Sequence, residues 1–72
     1  MGKRALKKRI ESVFPLFEEL EEECLNAIRH IEALKVRRLS AGQREDILGE
    51  LSAAITHLRI QTETLDRELE EL

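Results

Sequence analysis

Tryptophan and tyrosine are missing from these 72 residues, which include only two phenylalanines, three glycines, one proline and one cysteine. So few turn formers exclude collagen-like and low-complexity chains and argue against a turn-rich β fold. Cys24 stands alone and cannot close an internal disulfide. With two histidines besides, the chain has too few soft or imidazole ligands for an ordinary metal site. No apolar run approaches the roughly 20 residues that span a bilayer. Lys7, Lys8, Arg9 and Glu11 interrupt the roughly 7 to 15 apolar residues that a secretory leader needs. A cytoplasmic location is therefore expected. There is no glycine-rich phosphate loop, no Ser-His-Asp set and no carboxylate pair in a plausible cleft, so neither catalysis nor a cofactor is expected.

Charge and apolar residues dominate what is present. The 8.4 kDa chain is 42% hydrophobic and 38% charged, a mixture that suits long, charged helices. One domain of this size buries too little apolar surface to be comfortably stable alone, so help from a partner is expected. The net charge of −3 hides an asymmetry. Lys3, Arg4, Lys7, Lys8 and Arg9 crowd into residues 1–9 with no acid among them. The remainder, with seven basic and fifteen acidic residues, stands at −8.

Punctuation along the chain predicts two helices. Lys35, Arg37 and Arg38 suit a helix C-terminus, and Ser40 followed by Gln43 is a capping-box pattern, with Glu45 and Asp46 close behind. The expected elements are a basic arm over 1–9, a first helix over about 10–38, a turn near 39–42 and a second helix over about 41–71. Pro15 removes a donor and crowds the carbonyl of Glu11, which predicts a kink or break just before it. The acids at Glu18, Glu19 and Glu21 to Glu23 would then follow as the acidic start of a new helix. Gly49 weakens the second helix without ending it.

Periodicity predicts how the helices meet. Ile10, Val13, Phe17, Leu20, Cys24, Ala27, Ile31 and Leu34 recur at alternating steps of three and four, as do Leu48, Leu51, Ile55, Leu58, Thr62, Leu65, Leu69 and Leu72. That spacing keeps one seam on a partner helix. The fold class read from it is all-α, an antiparallel two-helix coiled-coil hairpin. If facing residues sum to 82, every member of one series meets a member of the other. The same register sets Lys35 near Glu45 and Glu21 near Arg59. Thr62, the one hydroxyl in the seam, is placed to bond back to the carbonyl of Leu58.

Apolar residues remain outside that seam. Phe14 and Ile28 flank it on one side, Leu16 and Ile47 with Ala54 on the other, while Leu25, Val36, Leu39 and Ile60 point further out. Two helices cannot bury all of these, so the hairpin is expected to dimerise into a four-helix bundle. Phe14, Leu16, Leu25, Ile28, Val36, Ile47 and Ala54 are its candidate interface to itself or to a helix of another protein. Lys3, Arg4, Lys7, Lys8 and Arg9 are candidate contacts to nucleic acid or another anionic surface, or to the acidic end formed by Glu68, Glu70 and Glu71. Scarcity of aromatic residues for base stacking, two phenylalanines in all, and the −8 charge of the rest weigh against nucleic acid.

The remaining polar residues read as structural. His30 and His57 lack the Glu-x-x-His arrangement of helical di-metal sites, since Ala27 and Ala54 stand three residues before them. His30 within Arg29-His30-Ile31-Glu32 resembles the phosphoacceptor histidine of sensor kinases, but that motif places an acid where Ile31 stands. Cys24 reads as a small seam residue. In size and shape the heptad region resembles the small RNA-binding hairpin dimers that regulate plasmid copy number, and the helical-hairpin chaperones of bacterial secretion systems. No motif carries that likeness, so it assigns no residue a role. The function expected is a non-enzymatic interaction and oligomerisation module, with a nucleic-acid-binding regulator as the alternative.

Overall fold

The computed structural model describes residues 3–72, with side chains from Lys7 onward; Met1 and Gly2, and the side chains of Lys3 and Arg4, lie outside the described residues. Two helices, α1 (Lys3–Leu34) and α2 (Ala41–Glu70), pack against one another as an all-α hairpin. It is a plate 58 Å long and 16 by 12 Å across, one helix thick.

Three features of the local structure follow from named residues. Ser40 caps α2: its hydroxyl accepts from the Gln43 N–H at 3.1 Å, and its own N–H donates to Gln43 Oε1 at 2.9 Å. Both halves of the box predicted from sequence are therefore made. Thr62 donates to the carbonyl of Leu58 at 2.7 Å, as expected, and lies 3.1 Å from that of Arg59. The connection spans residues 35–40, longer than the 39–42 expected, because α1 ends at Leu34. Lys35 N–H to Glu32 O and Val36 N–H to Ala33 O tighten its last turn. The three basic residues expected inside the helix thus follow its C-terminus.

Pro15 lies inside α1, and the break expected before it does not occur: the helix is continuous from Lys3 to Leu34. Val13, only 2% exposed, and the half-buried Leu16 and Phe17 hold the chain on both sides of the proline against α2. Tertiary packing there offsets the lost donor. Part of the basic arm, from Lys3, is accordingly the first turns of α1. The acids at 18–23 lie in mid-helix instead of at a start.

The seam between the helices differs from the one predicted, and the difference decides which apolar residues stay exposed. Val13, Phe17, Leu20, Ala27 and Leu34, with Leu51, Leu58 and Leu65, are enclosed as expected. Ile10, Cys24, Ile31, Leu48, Ile55, Thr62, Leu69 and Leu72, the other half of the predicted seam, are exposed. Their places are taken by residues one position earlier in the heptad. On α1 these are Leu16, Glu23 and His30; on α2 they are Ile47, the 3% exposed Ala54, and Gln61. Small Ala27, Ala33 and Ala54 lie among them; His30 and Glu23 reach partners at the rim, whereas the side-chain oxygen of Gln61 stays buried without one.

Register shifts too. His30 lies 3.5 Å from Glu50, Glu23 lies 3.7 Å from His57, and Arg9 Nη1 donates to the Glu71 carbonyl at 3.2 Å. Each pair of numbers sums to 80, a slide of about 3 Å from the predicted 82 at 1.5 Å rise per residue. Lys35 pairs with Glu32 at 2.8 Å within the end of α1 instead of with Glu45.

A candidate self-association face

The exposed half of the heptad residues forms the candidate site. On α1, Ile10, Cys24 and Ile31, with the half-buried Phe17 between them, each follow by one residue the positions that face α2; on α2, Leu48, Ile55, Thr62 and Leu69 do the same. Because the helices run antiparallel, the same rotational offset brings both stripes to one side of the plate. A groove confirms that they share a side: Phe17, Leu20, Thr62, Leu65 and Leu69 line it together, with Glu63 and Asp66 at its edge. Phe14 packs edge-on against Phe17 with ring centroids 5.6 Å apart and extends the face outward. Ile28 does so one half-length further along.

Seven large apolar side chains stand half open on this face: Ile10, Phe14, Ile28, Ile31, Leu48, Ile55 and Leu69, from 37% exposed for Ile10 to 56% for Ile55. Scattered exposed residues are ordinary on any protein; two contiguous seven-residue stripes on one side are not. Along the seam the opposite side is polar, while Leu25, Val36 and Ile60 are exposed singly off the oily face. His30 with Glu50 and Glu23 with His57 cross the seam there, as ion pairs whenever the rings are protonated. The hairpin therefore has one oily side and one charged side.

The seven residues nominated from sequence divide among three places. Phe14 and Ile28 lie at the edge of the oily face. Leu25 and Val36 are exposed away from it, Leu25 beside Glu22, Asn26 and Arg29. Ala54 is buried between the helices, and Leu16 and Ile47 are half-buried there. Ile10, Ile31, Leu48, Ile55 and Leu69 were missed because the heptad count assigned them to the seam. The signal that could have found them is the excess of stripes: each helix carries two adjacent apolar seven-residue series, and a single neighbour covers one.

At the basic end, Lys7 and Lys8 are exposed, whereas Arg9 is turned onto the end of α2. Together with Ser12, Val13, Glu68, Glu71 and Leu72 it lines a shallow, mostly polar depression. Among the described residues no three His, Cys, Asp or Glu side chains gather as a metal would require, and no helix is long and apolar enough to cross a membrane. Cys24 is exposed on the oily face and does not fill the core. Comparison with protein-family models, curated proteins and solved structures finds no match for this chain.

Proposed function

We propose that this chain is a non-enzymatic protein–protein interaction module that associates with a second copy of itself, oily face to oily face, as a four-helix bundle. The single observation that supports this reading is the pair of apolar stripes sharing one side of a plate whose other side is charged. Covering the seven half-open side chains contributes about 1 kcal/mol each. Doubled by symmetry, that is on the order of 14 kcal/mol, enough to offset an association cost of about 4 to 15 kcal/mol over most of its range. Each helix would then have two helical neighbours, which accounts for its two apolar series.

The test is a mass measurement by light scattering or sedimentation across a range of concentrations. Twice 8.4 kDa is expected; a folded monomer at high concentration overturns the reading. Nucleic-acid binding through Lys7, Lys8 and Arg9, with Lys3 and Arg4, is the alternative. It requires RNA or DNA binding that weakens steeply with salt and disappears on removing residues 1–9. Arg9 donates instead to the Glu71 backbone carbonyl at the negative end of the α2 dipole, which supports a role within the hairpin for that end.

A further inference from the structure

Two arrangements bring the oily faces of two copies together with two-fold symmetry. In one, the turns lie at the same end and α1 packs on the partner's α2. In the other, the turns lie at opposite ends and each helix packs on its own counterpart. The apolar stripes are indifferent between them. With turns together, Ile10 meets the partner's Leu69 and Ile31 the partner's Leu48; with turns apart, Ile10 meets the partner's Ile31 and Leu48 the partner's Leu69. Every stripe residue finds an apolar or small neighbour either way.

The residues along the outer edges of the face are not indifferent. On α1 the edge reads Lys7, Phe14, Glu21, Ile28, continued just past its C-terminus by Lys35, which within the chain pairs with Glu32. On α2 it reads Glu45, Ser52, Arg59, Asp66. At the observed register, in which facing numbers sum to 80, turns together sets Glu21 against the partner's Arg59 and Lys35 against the partner's Glu45, each twice. Turns apart sets Glu21 against the partner's Glu21, Arg59 against the partner's Arg59, and Lys7 against the partner's Lys35. It also lays the basic start of α1 beside the partner's Arg37 and Arg38. One edge contact runs the other way, since Phe14 meets the partner's Asp66 with turns together and the partner's Ile28 with turns apart. Four attractions against four like-charge meetings outweigh it, because complementary charge discriminates between orientations even where it adds little affinity. Glu21 and Arg59 make no ion pair with each other inside one hairpin, and both are exposed, so each is open to a second chain.

Resting on the proposed self-association, we infer that the second copy lies with its turn at the same end as the first, fixed there by Glu21 to Arg59 and Lys35 to Glu45 pairs between chains. The test places a spin label at Arg37→Cys in a Cys24→Ala background and measures the distance between labels, with mass determined on the same sample. Turns together give a separation of at most about 25 Å, the width of two stacked plates; turns apart give a separation approaching the 58 Å hairpin length. A dimer with the long distance overturns this inference and leaves self-association standing, whereas a monomer overturns both. A second variant reads the same choice without a label. Glu21→Gln is expected to weaken dimerisation by about 2- to 30-fold, two exposed pairs being lost per dimer; tighter association of this variant refutes the arrangement.

Discussion

Ala54 and Ile55 are neighbours in sequence with opposite fates, and Ile55→Ala separates the enclosed seam from the free face. Ile55 is 56% exposed in the hairpin, so covering it fully in a dimer contributes about 1 to 1.5 kcal/mol. Two copies lose it in each dimer, or about 2 to 3 kcal/mol, which corresponds to a dissociation constant about 30- to 150-fold higher. The same change improves helix propensity slightly. At concentrations where both proteins are monomeric, the melting curve followed by circular dichroism should therefore move little. Sedimentation equilibrium gives the first quantity and dilute thermal melts the second. Unchanged association would show that the face is not the contact. A collapse of monomer stability by several kcal/mol would place Ile55 between the helices, as simple heptad counting does, and would refute the observed rotation.

Other perturbations address the hairpin itself. Gln61 carries a side-chain oxygen that is buried without a hydrogen-bond partner; Gln61→Leu should raise unfolding free energy by about 1 to 3 kcal/mol in denaturant titrations. Gly49 lies in mid-helix with open space where a Cβ would stand, so Gly49→Ala should stabilise by about 0.5 to 1 kcal/mol, a rise of a few degrees in Tm. Leu65, 5% exposed, anchors the seam, and Leu65→Ala should cost about 2 to 5 kcal/mol. For a domain this small that loss abolishes most helical signal at 25 °C, and a loss below half a kcal/mol would mean the site is not enclosed.

Much of this architecture is legible in the residues. The two helices, the Ser40 and Gln43 box and the back-bond of Thr62 all follow from local chemistry that a single chain segment carries. No break occurs at Pro15, because propensity counts the lost hydrogen bond and cannot see that Val13 and Phe17 are held against α2. The rotation of the seam was illegible for a different reason. Val13, Leu20 and Ala27 make a series shared by two possible seams. Choosing between Ile31 and His30, or Ile55 and Ala54, as the companion depends on what covers the rejected stripe. Counting apolar residues selects the oilier seam; the hairpin instead encloses Glu23 and His30, whose tips find partners at the rim, and Gln61, whose side-chain oxygen stays buried. The charge pair expected between Lys35 and Glu45 does not form within one chain, where Lys35 pairs with Glu32. The rotation carries those two residues to outer edges of the plate, where the same complementarity is open to a neighbour.

The 12 Å thickness of the plate has a last consequence. A slab as thin as one helix has no middle layer, so a side chain is shielded either by the sister helix or by a molecule outside the chain. Whatever seals the oily side adds its binding free energy to unfolding by mass action. The melting temperature of this protein should consequently climb with its own concentration, or with that of its ligand, and a figure quoted without that concentration would describe the solution as much as the polypeptide.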